Sequence, residues 1–322
     1  MKELHLACLV WGEPYKSWFL KHHLPSLLLP NNLPAWDLPK RAFIHIAREE
    51  SREIASHPSF RALAEQCVSV EVIDVGSLTE ISKVNVYAMM AACQRLAVKR
   101  AWEADAGIAW ISPDTIFSDG SFASVARQVA LGKRAVMAFG IYVEADGWES
   151  LSPPPEGRAM VRASLACLHP VMSYITWGSP SFSTYPSTIY WNGGAAGLVL
   201  RSWHLQPVVV HARRSHSEFQ WTLDGDFMER AVDFDDCAFL CDSDEFLLIE
   251  LAGRNKKLPQ QVMAPTVDNI GQWARRWTTP IQHRFVRNPY VFHAGEASEL
   301  QPLVKASGAI VDEIVAKALA PA

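Results

Sequence analysis

The chain has no long apolar run, no paired-cysteine motif and no excess of positive charge, and each absence removes a class of protein. Nowhere do hydrophobic residues continue for the roughly 20 positions that a membrane-spanning helix requires. The 30 Lys and Arg are outnumbered by 34 Asp and Glu, a net charge of -4, so neither nucleic acid nor an anionic membrane is expected as the main partner. The six cysteines (Cys8, Cys67, Cys93, Cys167, Cys237 and Cys241) stand apart without a CxxC. Cys237 and Cys241 have helical spacing but no histidine close by in sequence, so a zinc site is not expected, and reduced thiols fit a cytoplasmic protein. The amino-terminal MKELHLACLVWG is too short an apolar run for a leader and reads on as a strand. There is no Gly-x-Gly-x-x-Gly after a first strand, no phosphate-cradling Gly-Lys-Ser and no Gly-x-Ser-x-Gly elbow. Dinucleotide oxidoreductases, P-loop enzymes and serine hydrolases are thereby disfavoured. Internal repeats and low-complexity tracts are absent as well.

What is present is a 322-residue chain, 49% hydrophobic and 20% charged, which can bury a large core. Its twelve tryptophans are a high number. Indole rings stack on sugars and bases, and they also fill cores.

Hydrophobic patterning predicts strands at Leu4 to Val10, Ala42 to Ala47, Val68 to Val75, Ile108 to Ile111 and Ala135 to Val143. Between them, Ser51 to Gln66, Val84 to Ala104 and Phe122 to Leu131 carry helical periodicity. Alternation of this kind predicts an α/β fold with a mainly parallel sheet flanked by helices. Farther on, Gly157 to Tyr174 reads as a helix and Thr176 to Thr188 as a long surface loop. The segment from Tyr190 to Leu200 holds three glycines beside an apolar strand, implying close approach by a ligand or another backbone. Leu300 to Leu319 is an amphipathic terminal helix, with Ser298 and Gln301 as its expected capping box. The simplest division is one mixed domain over residues 1–296 and a terminal helix over 297–322.

The stretch that organises the chain is GIAWISPDTIFSDG, residues 107–120. An apolar strand ends at Ser112-Pro113-Asp114, because Pro113 cannot donate to a ladder. Asp114 is left at the carboxyl end of a central strand, where ligands bind in open α/β sheets. A capping Asp in a turn is the plain alternative. Downstream, in order, come Asn192-Gly193-Gly194, Asp224-Gly225-Asp226 and Phe292-His293-Ala294-Gly295.

This order resembles the layout of GT-A-fold glycosyltransferases, in particular the group that includes glycogenin and the bacterial lipopolysaccharide galactosyltransferases. The resemblance spans roughly residues 1–296 as sparse short motifs. It implies a GT-A-like, Rossmann-related fold and a nucleotide-sugar donor, with a glycan, lipid-linked or protein acceptor. It also implies a divalent cation, Mn²⁺ or Mg²⁺, held by Asp114 and His293 and bridging the donor diphosphate. Ser112 stands where the family has the first Asp of its Asp-x-Asp. Trp11 and Gly12 would lie near the base, and Lys83 and Asn85 near the ribose or phosphates. Asn192 and Gly193 would line the donor sugar and acceptor, and Asp224 and Asp226 would form the acidic pair near the transferring sugar. A nearby carboxylate stabilises an oxocarbenium-like transition state, and one imidazole shifts metal preference toward Mn²⁺.

The departures are Ser112 for an aspartate, Gly225 for a glutamine, and no Lys-Pro-Trp after His293. A GT-A-like binding or scaffold protein with a degenerate metal site is therefore the alternative to an enzyme. A sugar nucleotidyltransferase ranks third, because Trp11 to Lys21 lacks a glycine-rich basic loop. Asp242-Ser243-Asp244 is a literal Asp-x-Asp, and only its late position ranks it behind Asp114; a solvated acidic face is its ordinary reading. Asp224 and Asp226 suit helix capping equally well, and His293 suits a core. The expected location is the cytoplasm, with any membrane contact peripheral, at the inner membrane. The terminal helix offers a surface for packing on the core, on a membrane or on a second copy of the chain.

Overall fold

The computed structural model describes residues 1–214, 219, 222–223 and 227–320. Among the described residues, thirteen strands run in chain order: β1 (Leu4–Val10), β2 (Lys40–Ile46), β3 (Ser69–Asp74), β4 (Gly107–Trp110), β5 (Thr115–Phe117), β6 (Ala135–Met137), β7 (Gly140–Glu144), β8 (Thr188–Asn192), β9 (Gly197–Ser202), β10 (Pro207–Val210), β11 (Cys237–Phe239), β12 (Leu248–Ala252) and β13 (Tyr290–His293). The chain divides into two compact units, Met1–Ala138 with Gln206–Leu240, and Phe139–Leu205 with Cys241–Ala322.

The first unit is built on a seven-stranded sheet of order β11-β6-β10-β4-β1-β2-β3. Strands β1, β2, β3 and β4 pair in parallel, and β10 runs antiparallel to both β4 and β6. β1 is buried along its whole length, as its continuous apolar run requires of a strand covered on both faces. The helix Val86–Glu103 packs on β1 and β4, and Ser121–Ala130 packs on β6. The α/β expectation of a mainly parallel sheet flanked by helices therefore holds. Most strand and helix limits fall within a few residues of those read from the patterning, but Ser51 to Gln66 forms two helices, Ser51–Ser56 and Pro58–Gln66, because His57 before Pro58 is extended.

The stretch 135–143 does not form one strand. It is two, β6 and β7, interrupted at Ala138-Phe139, where the first unit hands over to the second. Patterning cannot register this break, because residues on both sides of it are buried and apolar.

The second unit contains the parallel pair β7–β12 and an antiparallel sheet β13-β9-β8. Its core gathers Phe182, Trp191, Trp203, Ile270, Trp273, Val311, Ile314 and Val315. Much of the tryptophan surplus is thus spent on packing: Trp18, Trp36, Trp148, Trp191, Trp203 and Trp273 are all buried. Breaks between the units fall at 138/139, 205/206 and 240/241, and none falls at 296/297. The terminal helix Gln301–Leu319 buries Val311, Ile314, Val315 and Ala318 in this core, packed against the helix Val267–Trp277. The terminal helix itself has no side-chain cap, so the expected box of Ser298 and Gln301 does not form; a capping box opens the preceding 3₁₀ turn Ala297–Leu300 instead, with Glu296 N donating to Glu299 at 3.0 Å. Gly157–Ala166 is helical as expected, but the helix ends there and a separate 3₁₀ turn, Pro170–Tyr174, follows.

Two glycines that open strands answer to another backbone. Gly197 has φ +139°, and a Cβ there would fall on the carbonyl oxygen of Phe292 in β13. Gly140 opens β7, where a Cβ would stand 2.6 Å from the carbonyl oxygen of Leu248. In both places two strands approach more closely than a side chain permits.

Candidate functional site

The chemistry-bearing cluster of the second unit begins just after Leu240. Cys241 to Ser243 runs beside β13: Val291 N donates to the Cys241 carbonyl at 2.7 Å, and Ser243 N donates to the Val291 carbonyl at 3.0 Å. Asp242 then folds back on the chain, its Oδ1 accepting the amide of Asp244 at 2.8 Å. Aspartate favours this local turn, and the turn sets two carboxylates side by side.

His293 ends β13 opposite them. Its ring is 1% exposed, and its main-chain amide donates to Ser243 Oγ at 3.1 Å. Nε2 lies 2.8 Å from Asp242 Oδ1 and 3.8 Å from Asp244 Oδ2, while Nδ1 lies 2.8 Å from the Gly295 carbonyl. Both ring nitrogens meet oxygens that can accept a hydrogen bond, an arrangement that favours the protonated ring. Burial works against that charge. The hydrogen bonds that the ring donates to the Gly295 carbonyl and to Asp242, with the fields of both aspartates, outweigh it, and the pKa is raised.

One ligand atom from each of Asp242, Asp244 and His293 can be drawn from a set lying within 4.8 Å of one another. Two hard oxygens and one imidazole nitrogen form a donor set that suits Mn²⁺ or Mg²⁺. The Nδ1–H bond to Gly295 is the kind of outer contact that fixes the ring so that Nε2 serves as the ligand. The residues fit the cation implied by the sequence resemblance.

Two residues that sequence reasoning passed over complete the cluster. Arg158, on the helix Gly157–Ala166, grips Asp244 with Nη2 at 2.9 Å and Nε at 3.2 Å, and donates through Nη1 to Glu296 at 2.7 Å. Gly157 permits this approach, since a Cβ there would stand 2.7 Å from the Ser243 carbonyl. No sequence motif marks Arg158. Its role comes from the fold of residues 86 positions away.

An open cleft of about 690 Å³ lies beside the cluster, lined by Arg162, Asn192, Gly194, Ala196, Gly295 and Glu299 among others. Asn192 and Gly193 follow directly from β8. Asn192 Oδ1 accepts the Gly194 amide at 2.7 Å, and Gly193 packs so that a Cβ would stand 2.5 Å from Leu300. Arg162 donates to the Ala294 carbonyl at 2.7 Å, tying the cleft wall to the residue after His293.

The other expected positions belong to the first unit. Trp11 and Gly12 follow β1, where Gly12 adopts φ +68° and its amide donates to Glu50 at 2.8 Å. Ser112 lies just past β4, and its carbonyl accepts both the amide and the hydroxyl of Thr115. Asp114 follows it, close enough to act on Cys8 and Tyr15. Burial chiefly, and the Asp114 charge next, push the Cys8 thiol and the Tyr15 phenol upward. Lys83 precedes the helix Val86–Glu103, and Asn85 caps it, accepting the amides of Tyr87 at 2.9 Å and Ala88 at 3.3 Å. Asn85→Ala is accordingly expected to lower stability by about 1 kcal/mol. Urea denaturation of the wild-type and variant proteins measures it. Asp224 and Asp226, with Gly225, lie outside the described residues.

No protein-family model matches this chain, and no curated protein matches it. Solved structures that overlay on part of it include TarS of S. aureus, at 11% identity and a TM-score of 0.29, over 44% of this chain and 22% of that one. Another is a putative glucose-1-phosphate thymidylyltransferase from Bacillus anthracis in complex with sucrose, at 12% identity and a TM-score of 0.27, over 44% of this chain and 55% of that one. The overlays thus cover less than a quarter and about half of those proteins, and they assign no activity to this chain.

Proposed function

We propose that this protein is a divalent-cation-dependent glycosyltransferase that takes a nucleotide-sugar donor and serves a glycan, lipid-linked or protein acceptor. One observation carries the proposal: Asp242, Asp244 and His293 converge beside a cleft that Asn192 and Gly295 line. The ordered motifs of the sequence supply the class of reaction.

In this reading the cation sits on Asp242, Asp244 and His293, and Asp114 keeps a donor-binding role without ligating it. The reason is that these three residues each offer a ligand atom and the three atoms lie within 4.8 Å of one another. A bound Mn²⁺ or Mg²⁺ would neutralise charge on a departing nucleoside diphosphate. His293 supplies a neutral nitrogen once its Nε2 proton has left, and its Nδ1–H stays on Gly295. Asn192 and Glu299 offer polar groups to sugar hydroxyls along the cleft. In the first unit, the carboxyl edge of the sheet presents Trp11, Gly12, Ser112 and Asp114, with Lys83 and Asn85 ahead of the helix Val86–Glu103, as the donor-binding positions. Asp224 and Asp226 remain the proposed acidic pair for the transferring sugar.

Calorimetric titration with UDP-, GDP-, CDP- and TDP-sugars, with and without Mn²⁺, tests the proposal. The expected result is tight binding of one nucleotide class that requires the cation, followed by release of nucleoside diphosphate in the presence of an acceptor. Absence of binding by every donor overturns it. Donor binding without hydrolysis or transfer, unchanged in Asp114→Ala, would instead identify a noncatalytic binding protein.

A further inference from the structure

We infer that Arg158 is a built-in occupant of the cation site, one that holds Asp244 until a divalent ion takes its place and then meets the negative charge of a phosphate-bearing ligand. The inference rests on the cation site proposed above and concerns how that site is loaded.

The geometry is specific. The guanidinium contacts both oxygens of Asp244, with Nε at 3.3 Å from Oδ1 and 3.2 Å from Oδ2, and Nη2 at 2.9 Å from Oδ2. Oδ2 is also the Asp244 oxygen that lies 3.8 Å from His293 Nε2. One oxygen therefore faces both the guanidinium and the space that a cation would fill. A carboxylate gripped by a planar fork is a poorer ligand, and a fixed positive charge a few ångströms away repels a second cation. Glu296 holds the other end of the guanidinium at 2.7 Å and sits on the surface, as Arg158 does in part. Arg158 thus has a second anchor to keep when it lets Asp244 go.

Among the groups around the cluster, Asp242, Asp244 and Glu296 bring three negative charges, and Arg158 brings one permanent positive charge. A divalent ion brings the sum of these four side chains and the ion to about zero. The guanidinium is then a side-chain cation beside the ion, positioned for an anionic group that arrives with the metal. A diphosphate is the ligand class that uses two adjacent cations in this way.

The prediction has two parts of opposite sign. Arg158→Gln binds Mn²⁺ about tenfold more tightly than wild type in the absence of anions, because a like charge at this range has gone. Arg158→Lys, which keeps the charge, stays close to wild type. At saturating Mn²⁺, methylenediphosphonate, a base-free diphosphate analogue, binds Arg158→Gln about tenfold more weakly than wild type. Electron paramagnetic resonance of free Mn²⁺ gives the first affinity, and calorimetry gives the second. Mn²⁺ affinity equal to or below wild type in Arg158→Gln overturns the inference and leaves Arg158 as a residue that merely orients Asp244; the cation site then stands. No Mn²⁺ binding in wild type and both Arg158 variants, or binding indifferent to Asp242→Asn, overturns the cation site itself and this inference with it.

Discussion

Asp242→Asn should lower Mn²⁺ affinity at least ~100-fold, at or beyond the upper end of what loss of an outer-shell partner costs a metal site. Asparagine is the informative replacement because it separates charge from shape. Its side-chain carbonyl can still accept the Asp244 amide, now 2.8 Å from Asp242 Oδ1, so the turn that sets the two residues side by side survives. What goes is the negative charge of the carboxylate, whose Oδ1 also stands 2.8 Å from His293 Nε2 and would face a divalent ion. Asp244→Asn should weaken binding in the same direction, and it also frees Arg158. Asp114→Ala should leave Mn²⁺ affinity unchanged while weakening the donor. That pattern distinguishes a cation held by the second unit from one held by the pair Asp114 and His293 that the sequence order favours. Equal loss in Asp114→Ala and Asp242→Asn would return the metal to Asp114.

The reason the sequence ranks Asp114 first is instructive. Motif order places an acidic residue after a central strand, and the structure does put Asp114 just past β4, at the carboxyl edge of a parallel sheet. Order along the chain says nothing of which unit a residue joins, and Cys241 begins a return to the second unit that no composition change announces. His293 was legible from its motif, and Asp242-Ser243-Asp244 was legible as a pattern, but their meeting depends on a parallel bridge between Asp242 and Val291. Such a bridge joins segments about 50 residues apart and leaves no periodic trace. The parallel core was readable for the opposite reason. Strands β1, β2 and β4 are buried, apolar and separated by helices long enough to carry the chain back. Of the three glycines in 193–197, Gly197 lies against β13 and Gly193 against Leu300 and the Gly197 carbonyl, whereas a Cβ at Gly194 would meet nothing within 4 Å. Arg158 had no signal at all, because a long cation on a helix is most often solvated.

Acid should destabilise the first unit before its carboxylates titrate. His23 and His45 are both buried, and both carry pKa values pushed down to about 4. For His23 burial is the dominant cause, opposed by its contact with the Thr115 carbonyl, which Nδ1 meets at 3.0 Å; the ring stacks on Phe19. For His45 burial again leads, the Arg100 charge adds to it, and Glu71 opposes both. An unfolded histidine titrates near 6.5. Between about pH 6.5 and 4 the unfolded chain therefore binds more protons than the native one, so stability falls as pH falls through that window and is fully present above it. Each ring removes about 1.4 kcal/mol per pH unit, or about 2 kcal/mol by pH 5. Together that is about 4 kcal/mol, a large part of an ordinary domain's stability. The carboxylates whose pKa values are lowered, Glu3, Asp74, Glu80, Asp105 and Asp233, lose their contribution only at lower pH, so the two limbs separate. His45→Phe isolates one ring. His45 Nε2 is buried without a hydrogen-bond partner among the described residues, and the ring lies 6.3 Å from Trp110, so an aromatic replacement keeps the packing and loses the proton site. Urea denaturation at pH 7.5 and pH 5.0 should show the variant giving up about half of the wild-type pH dependence. An unchanged difference between the two pH values would mean that His45 is reached by water in the native state and titrates there as it does when unfolded.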